Sequence, residues 1–437
     1  MQDDMREKLI AYVFSNMVDA VCITAKNGEI YSANKSAEKL FGFGESAKGR
    51  KIWEVIPLIK KNDTLVQLFI DAVTQHRDIH SLAQYENNDG KIFSLHVSVT
   101  YMTENDGTFA IVIRDLTELL RVNSAFERYT SPEIARYVLR TPEGEKQGGK
   151  LKDVTILMSD LRGFTALSTK LSADTLITIL NHYFEKMIAV IERWKGTMLE
   201  FLGDGIFVVF GAPNDDENHA DHAVSCAVEM QNAMKSVNEW NAANNYPALE
   251  MGIGINSGPA VVGNIGSDAR MKYDCIGETV NLAGRVETFT VGGQIYISES
   301  TKEKITENLF TSDEQSFMPK GAASPMKIFA VDGIGDIHIL HRDYIMKDVA
   351  RKCEVTFSTI KGKIVDGEKY RGHVVKISDD ERYAVIETET KIEAMQNLLI
   401  DIGGSLYAKA MSNDGGHVKI CLTSKPECFS EWVKSLF

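Results

Sequence analysis

Apolar and polar positions alternate with different periods along the chain, and the changes of period mark four segments. Residues 1–115 carry short strand-like runs: VCITA, the turn Asn27–Gly28, then EIYSAN. Later, KIFSLHVSVTYM and GTFAIVIRDL have the period of two expected of half-buried antiparallel strands. SAEKLFGF and TLVQLFIDAVTQ between them have helical spacing, which predicts a small α+β sheet domain. Residues 116–150 read as a helical connector. LTELLRVNSAFERY is amphipathic, Ser131-Pro132-Glu133 is a helix start with Ser capping, and TPEGEKQGGK is a polar, flexible hinge.

In residues 151–335 the strand VTILMS runs into DLRGFT and a long amphipathic helix, TLITILNHYFEKMIAVIERW. A hairpin with Gly203-Asp204-Gly205 at its tip and a second helix near HADHAVSCAVEMQNAMKSVNEW follow. The strand LEMGIGINSG, the return AVVGNIGS, a turn RMKYDCIGE and the helix TVNLAGRVETF complete the segment. This irregular alternation predicts an antiparallel-rich α/β sandwich and not a Rossmann array. Residues 336–437 are strand-rich (CEVTFSTIKGKIV, GHVVKI, YAVIETE, LYAKAM, HVKICLTS), as in a small barrel or sandwich.

Composition narrows the function classes. A net charge of −13 and a pI near 5.4 argue against a nucleic-acid-binding chain, leaving room only for a local anion site. No apolar run approaches the ~18 residues that cross a bilayer, and the start MQDDMREKLIAYVF has no signal-peptide pattern. The expectation is a cytoplasmic protein without a membrane partner. The six cysteines are scattered, so reduced, mostly buried thiols are expected.

Two aspartates stand where strands meet glycine turns: Asp160 after VTILMS, and Asp204 in LGDG. If the strands are neighbours, both carboxylates converge on one sheet edge. Paired hard oxygens beside glycines suit Mg²⁺ or Mn²⁺ bridging substrate phosphates. The backbone of LRGFT, leading into a helix, suits a triphosphate. Either aspartate alone reads as a turn former. Asn281 and Arg285, four apart, share one face of a helix, an arrangement that by itself is ordinary surface chemistry.

VTILMSDLRGFT, GTMLEFLGDGIFVVFGAP and GIGINSGPAVVGNIGSDARMKYDCIGETVNLAGRVE, in that order and spacing, resemble the catalytic domain of class III adenylate and guanylate cyclases. The resemblance implies a palm-like, ferredoxin-type domain working as a head-to-tail homodimer, with each site built from both subunits. It implies two Mg²⁺ or Mn²⁺ ions per site on Asp160 and Asp204, with Leu161 in the metal set. Asn281 would orient the ribose of ATP or GTP, and Arg285 would stabilise charge at the α-phosphate. Gly163, Phe164, Thr165, Arg270 and Lys320 would hold the triphosphate. The set is complete, which argues against the alternative of a catalytically idle nucleotide-binding relay.

The family reads the base with two side chains, here Glu200 and Asp274. Adenylate cyclases typically carry Lys with Asp or Thr there, and guanylate cyclases Glu with Cys, so this chain holds half of each pattern. Glu200 suits guanine N1–H and the 2-amino group but opposes adenine N1; Asp274 suits the adenine 6-amino group but repels guanine O6. ATP is favoured, with a guanylate cyclase as the alternative.

MVDAVCITAKNGEIYSANKSAEKLFGF and the closing IRDLTE in residues 1–115 resemble a PAS sensor domain. It carries no flavin-binding cysteine motif, and His76, His80 and His96 read as surface or structural residues, so its ligand is unassigned. RGHVVKISDDE resembles a PilZ-type barrel, but Lys376 and Glu381 stand where that family has Asp or Asn and Gly around Ser378.

Overall fold

The computed structural model describes residues 2–44, 47–102, 107–318, 325–340, 344–361 and 364–437. They divide into two compact units, Met1–Tyr129 and Thr130–Phe437. The first opens with a helix that the sequence pattern did not announce, α1 (Gln2–Asn16). It continues with β1 (Ala20–Thr24), β2 (Ile30–Ala33), α2 (Lys35–Phe41), α3 (Asp63–Gln75), β3 (Ile79–Glu86), β4 (Ile92–Met102) and β5 (Thr108–Asp115). The antiparallel sheet runs β2-β1-β5-β4-β3, and Phe69, Tyr85, Leu95 and Phe109 are fully buried in the core beneath it. This is the α+β sheet domain expected of residues 1–115. Helix α4 (Thr117–Tyr129) ends the unit with no buried side chain.

The second unit begins with α5 (Pro132–Arg140). Ser131 caps it by accepting from Ile134 N at 3.3 Å, and Pro132 occupies its first turn. The following segment is anchored, not hinged. Asn264 Nδ2 donates to the carbonyls of Gly144 (2.6 Å) and Lys146 (3.1 Å), and residues 148–150 already belong to β6 (Gly148–Leu161).

After β6 come α6 (Phe164–Ser168), α7 (Ala173–Arg193), β7 (Thr197–Leu202), β8 (Gly205–Phe210), α8 (His219–Ala243) and β9 (Met251–Ser267). RMKYDCIGE is not a turn: β10 (Arg270–Ile276) pairs antiparallel with the end of β9 from Arg270↔Ser267 to Ile276↔Val261. The return through Gly263 and Gly266 therefore folds as a long hairpin. Then follow α9 (Glu278–Thr288), β11 (Ile295–Ser298), α10 (Glu299–Lys302), β12 (Leu309–Phe317), β13 (Met326–Ile334) and β14 (Ile337–His338).

The sheet order is β12-β13-β11-β9-β6-β8-β7. Helices α7 and α8 cover one face through Ile179, Tyr183, Met187 and Val224 against Leu157, Ile206, Val208 and Ile255. On the other face, Ile134 of α5 and Ala283 of α9 pack on Val154, Ile156, Val209 and Val262. Successive β6 residues serve opposite faces, which produces the palm-like α/β sandwich. Gly252 and Gly254 of β9 let α9 lie close to the sheet, since a Cβ at either would strike Thr290 or the Glu287 backbone.

The last segment is a closed barrel: β15 (Met346–Lys361), β16 (Ile364–Val365), β17 (Tyr370–Ser378), β18 (Tyr383–Glu387), β19 (Asn397–Asp401), β20 (Ser405–Asp414) and β21 (His417–Ser424). Six strands close because β15 pairs both β17 and β19. Helix α11 (Phe429–Lys434) packs Phe429 and Val433 into its core.

Candidate active site at the β6–β8 edge

Strands β6 and β8 are antiparallel neighbours, with Ser159 opposite Ile206. Asp160 at the end of β6 and Asp204 in the β7–β8 turn therefore meet at one edge. Leu161 N donates to Asp204 Oδ2 at 3.3 Å, and Gly205 leaves the room for this approach, since a Cβ there would press on Ser159 O at 2.7 Å. Burial first, then the charge of Asp204, pushes the Asp160 carboxyl up to about 6. A divalent cation between the two carboxylates would relieve that repulsion, so the donor set fits a hard metal ion.

Arg162 holds this loop from behind. Its guanidinium lies 3.6 Å from Asp160 Oδ2, donates to Glu287 O (3.1 Å) and Thr290 Oγ1 (2.6 Å), and pairs with the Glu287 carboxylate. Burial raises the Glu287 carboxyl against the opposing pull of Arg162. Gly163 caps α6 at φ +70°, a conformation that favours glycine; Phe164 packs on the core and Thr165 is exposed.

Glu200 and Asp274 do not oppose each other unaided. Lys272 of β10 lies between them, with Nζ 2.6 Å from Glu200 Oε2 and 3.2 Å from Asp274 Oδ2. Burial pulls its ammonium down, but the Glu200 hydrogen bond and the Asp274 charge outweigh that, so the net direction is up. Cys275 N donates to Asp274 Oδ1 at 2.8 Å, which fixes that carboxylate's rotamer. Tyr273 turns to the opposite face, where Tyr137 of α5 packs on it edge-on at 5.4 Å. The connector helix thus touches the strand that carries Lys272 and Asp274.

Asn281 is exposed on α9, Arg285 is half-buried one turn on, and Arg270 is exposed at the start of β10. Lys320 lies outside the described residues. Sequence reasoning missed Lys272, Arg162 and Glu287. Lys272 stands two residues before Asp274 on a strand taken for a turn, and Arg162 two residues after Asp160, whereas nothing local marks Glu287. The nearest features to the PilZ signature serve an internal turn: Ser378 Oγ donates to Asp380 Oδ1 at 2.7 Å, and Glu381 keeps a positive φ of 58° where that family has glycine.

Residues 147–333 match the family described as the adenylate and guanylate cyclase catalytic domain, and residues 18–118 match the PAS domain. Adenylate cyclase 1 of Rhizobium meliloti (strain 1021) is 27% identical over 211 residues, which are 48% of this chain and 32% of that protein. Among solved structures, the guanylyl cyclase Cya2 is 45% identical over 44% of this chain and 100% of its own, with a TM-score of 0.43. The adenylyl cyclase CyaB from P. aeruginosa is 36% identical over 42% and 96%, with a TM-score of 0.41. The chain spans about a third of the length of the first curated relatives it matches. A palm-like α/β sandwich with a paired-aspartate edge, preceded by a five-stranded antiparallel sheet, defines a PAS-linked cyclase architecture. The chain belongs to the class III adenylate and guanylate cyclases and carries an N-terminal PAS domain. Among the described residues, no helix is long and apolar enough to cross a membrane.

Proposed function

We propose that this chain cyclises a purine nucleoside triphosphate, ATP in preference to GTP, to the 3′,5′-cyclic monophosphate with release of pyrophosphate. The observation that carries the reading is the meeting of Asp160 and Asp204 at one strand edge, where burial and like charge hold the Asp160 carboxyl near 6. Asp160, Asp204 and the Leu161 carbonyl are the groups that would hold two Mg²⁺ or Mn²⁺ ions. Bound there, the cations would acidify the ribose 3′-hydroxyl and neutralise the triphosphate. The backbone of Gly163, Phe164 and Thr165 receives the phosphates, with Arg270 and Lys320 as further cations.

Asn281 and Arg285 act across a homodimer: the partner's Asn281 orients the ribose and the partner's Arg285 meets the charge growing at the α-phosphate. Residues 1–115 act as the sensor, and residues 116–150 pass its state to the catalytic domain through the Tyr137–Tyr273 contact.

Lys272 supports ATP. Adenine presents an acceptor at N1 and a donor at the 6-amino group; Lys272 and Asp274 offer the matching donor and acceptor from one strand. Glu200, which would otherwise face adenine N1, is neutralised by Lys272. Relatives named adenylate cyclase and guanylyl cyclase both occur, and Glu200 is the observation that favours the second reading, cyclic GMP synthesis. Incubation with Mn²⁺ and either ATP or GTP, followed by chromatography of the products, tests both. Formation of neither cyclic nucleotide by a folded dimer would reject the enzymatic reading in favour of the idle relay.

A further inference from the structure

Besides Met395, which packs on the cluster of Val286 and Tyr296, the barrel of residues 346–424 makes three contacts around the loop that carries Asp160: at the end of α9, at Glu250 and at Gly163. First, Lys409 of β20 is only 6% exposed, and its Nζ donates to the carbonyls of Thr288 (2.7 Å) and Thr290 (3.3 Å). These lie at the C-terminal end of α9, where unpaired carbonyls and the helix dipole attract a cation. Glu287 and Thr290 at that same end bind Arg162, which faces Asp160. Second, Arg382 is held by Asp380 (2.8 Å) and reaches Glu250 Oε1 at 3.1 Å, while the Glu250 carbonyl accepts from Arg162 N at 2.7 Å. Third, the Thr423 carbonyl stands 3.4 Å from where a Cβ of Gly163 would be.

We infer that the C-terminal barrel is a wall of the catalytic centre, in which Lys409 and Arg382 are positioning residues for the loop bearing Asp160. The inference rests on the cyclase reading for its kinetic consequence but not for its geometry. Burying an ammonium is costly unless its partners repay the lost water. Met395 already attaches the barrel through apolar packing on Val286 and Tyr296, so attachment alone does not require a buried ammonium. Here the lysine instead caps the helix whose last turn grips Arg162, so a shift of the barrel moves Arg162 and with it the carboxylate that receives the metal.

The test uses the full chain and its Lys409→Met, Arg382→Ala and Arg382→Lys variants. Mn²⁺ affinity is read by electron paramagnetic resonance of the free ion, alongside kcat and nucleotide KM, melting temperature and dimer mass. Lys409→Met and Arg382→Ala are expected to weaken Mn²⁺ binding about tenfold and to lower kcat by a similar factor, with nucleotide KM nearly unchanged, as for residues that orient metal ligands. Arg382→Lys is expected to recover most of the loss. If both loss variants melt lower yet keep wild-type Mn²⁺ affinity and kcat, the barrel is only attached and the inference is overturned. If Lys409→Met does not fold, Arg382→Ala, whose side chain is partly exposed, decides alone. A wild-type chain that forms no cyclic product sinks the cyclase reading, while the Mn²⁺ titrations still decide this one.

Discussion

Replacing Lys272 with alanine isolates the choice of base from the chemistry. Its ammonium lies 2.6 Å from Glu200 and 3.2 Å from Asp274, but the three side chains are 42%, 48% and 26% exposed. In the free protein such a network contributes about 0.2–1 kcal/mol per pair, so the fold should lose little. The case differs once a base covers the three groups and excludes water. A hydrogen bond from a charged donor to adenine N1 is then worth about 1.5–3 kcal/mol, or roughly ten- to hundredfold in kcat/KM. Removing Lys272 also frees Glu200, which would then turn its lone pairs on adenine N1. For GTP the freed Glu200 gains the guanine N1–H and 2-amino donors, while Asp274, released from the same ammonium, opposes O6 more strongly, so the two changes offset. Lys272→Ala is therefore expected to lower kcat/KM for ATP at least about tenfold, with that for GTP changed by less than about threefold. Steady-state assays with Mn²⁺ and each nucleotide give the ratio, and a melting curve confirms the fold. An ATP/GTP ratio within about twofold of wild type, in a variant that melts normally, would refute a base-reading role for Lys272.

Asp160→Asn should abolish turnover yet stabilise the metal-free protein at neutral pH. The carboxyl rises from 3.8 to about 6 in the fold, so its ionisation opposes folding; that stability is full below pH 4 and lost as pH rises through about 6. Two pKa units correspond to about 3 kcal/mol, which the 41% side-chain exposure reduces to about 1 kcal/mol. Calorimetry at pH 7.5 without divalent ions should show Asp160→Asn melting about 2–4 °C higher, a gain that vanishes near pH 4, and a lower melting point would contradict the assigned repulsion. Added Mn²⁺ should raise the melting temperature of wild type and leave Asp160→Asn unmoved. Mixing inactive Asp160→Ala and Arg285→Ala chains should restore about a quarter of wild-type activity, because half of random dimers regain one intact site; no recovery after verified subunit exchange would place both residues in one chain's site.

What the sequence revealed followed the range of each interaction. Period-two runs such as KIFSLHVSVTYM and the cap at Ser131 are local, and they fold as β4 and α5. RMKYDCIGE failed as a turn because its strand character is imposed by pairing with β9, through glycines that read locally as a loop. The hinge at residues 141–150 failed for the same reason: its polar composition is satisfied by Asn264, well over a hundred positions away.

At the site, spacing within single motifs sufficed to select Asp160 and Asp204, since each sits beside its own strand end and glycine. Arg162 was equally visible, but its meaning was not. An arginine two residues past Asp160 is held in place only because Glu287 and Thr290 return at the end of α9, and because Glu250, whose carbonyl accepts its N–H, is gripped by Arg382 from the barrel. Lys409 is the extreme case. In AKAMSND it reads as the polar member of an alternating strand, and yet its strand turns that position onto the end of α9, where burial draws the ammonium down to about 8. A charged residue at an alternating position is solvated unless another domain covers that face, and only the tertiary fold supplies the cover. The buried ammonium thus marks residues 346–424 as part of the catalytic body, which neither their strand periodicity nor the partial PilZ signature could have assigned.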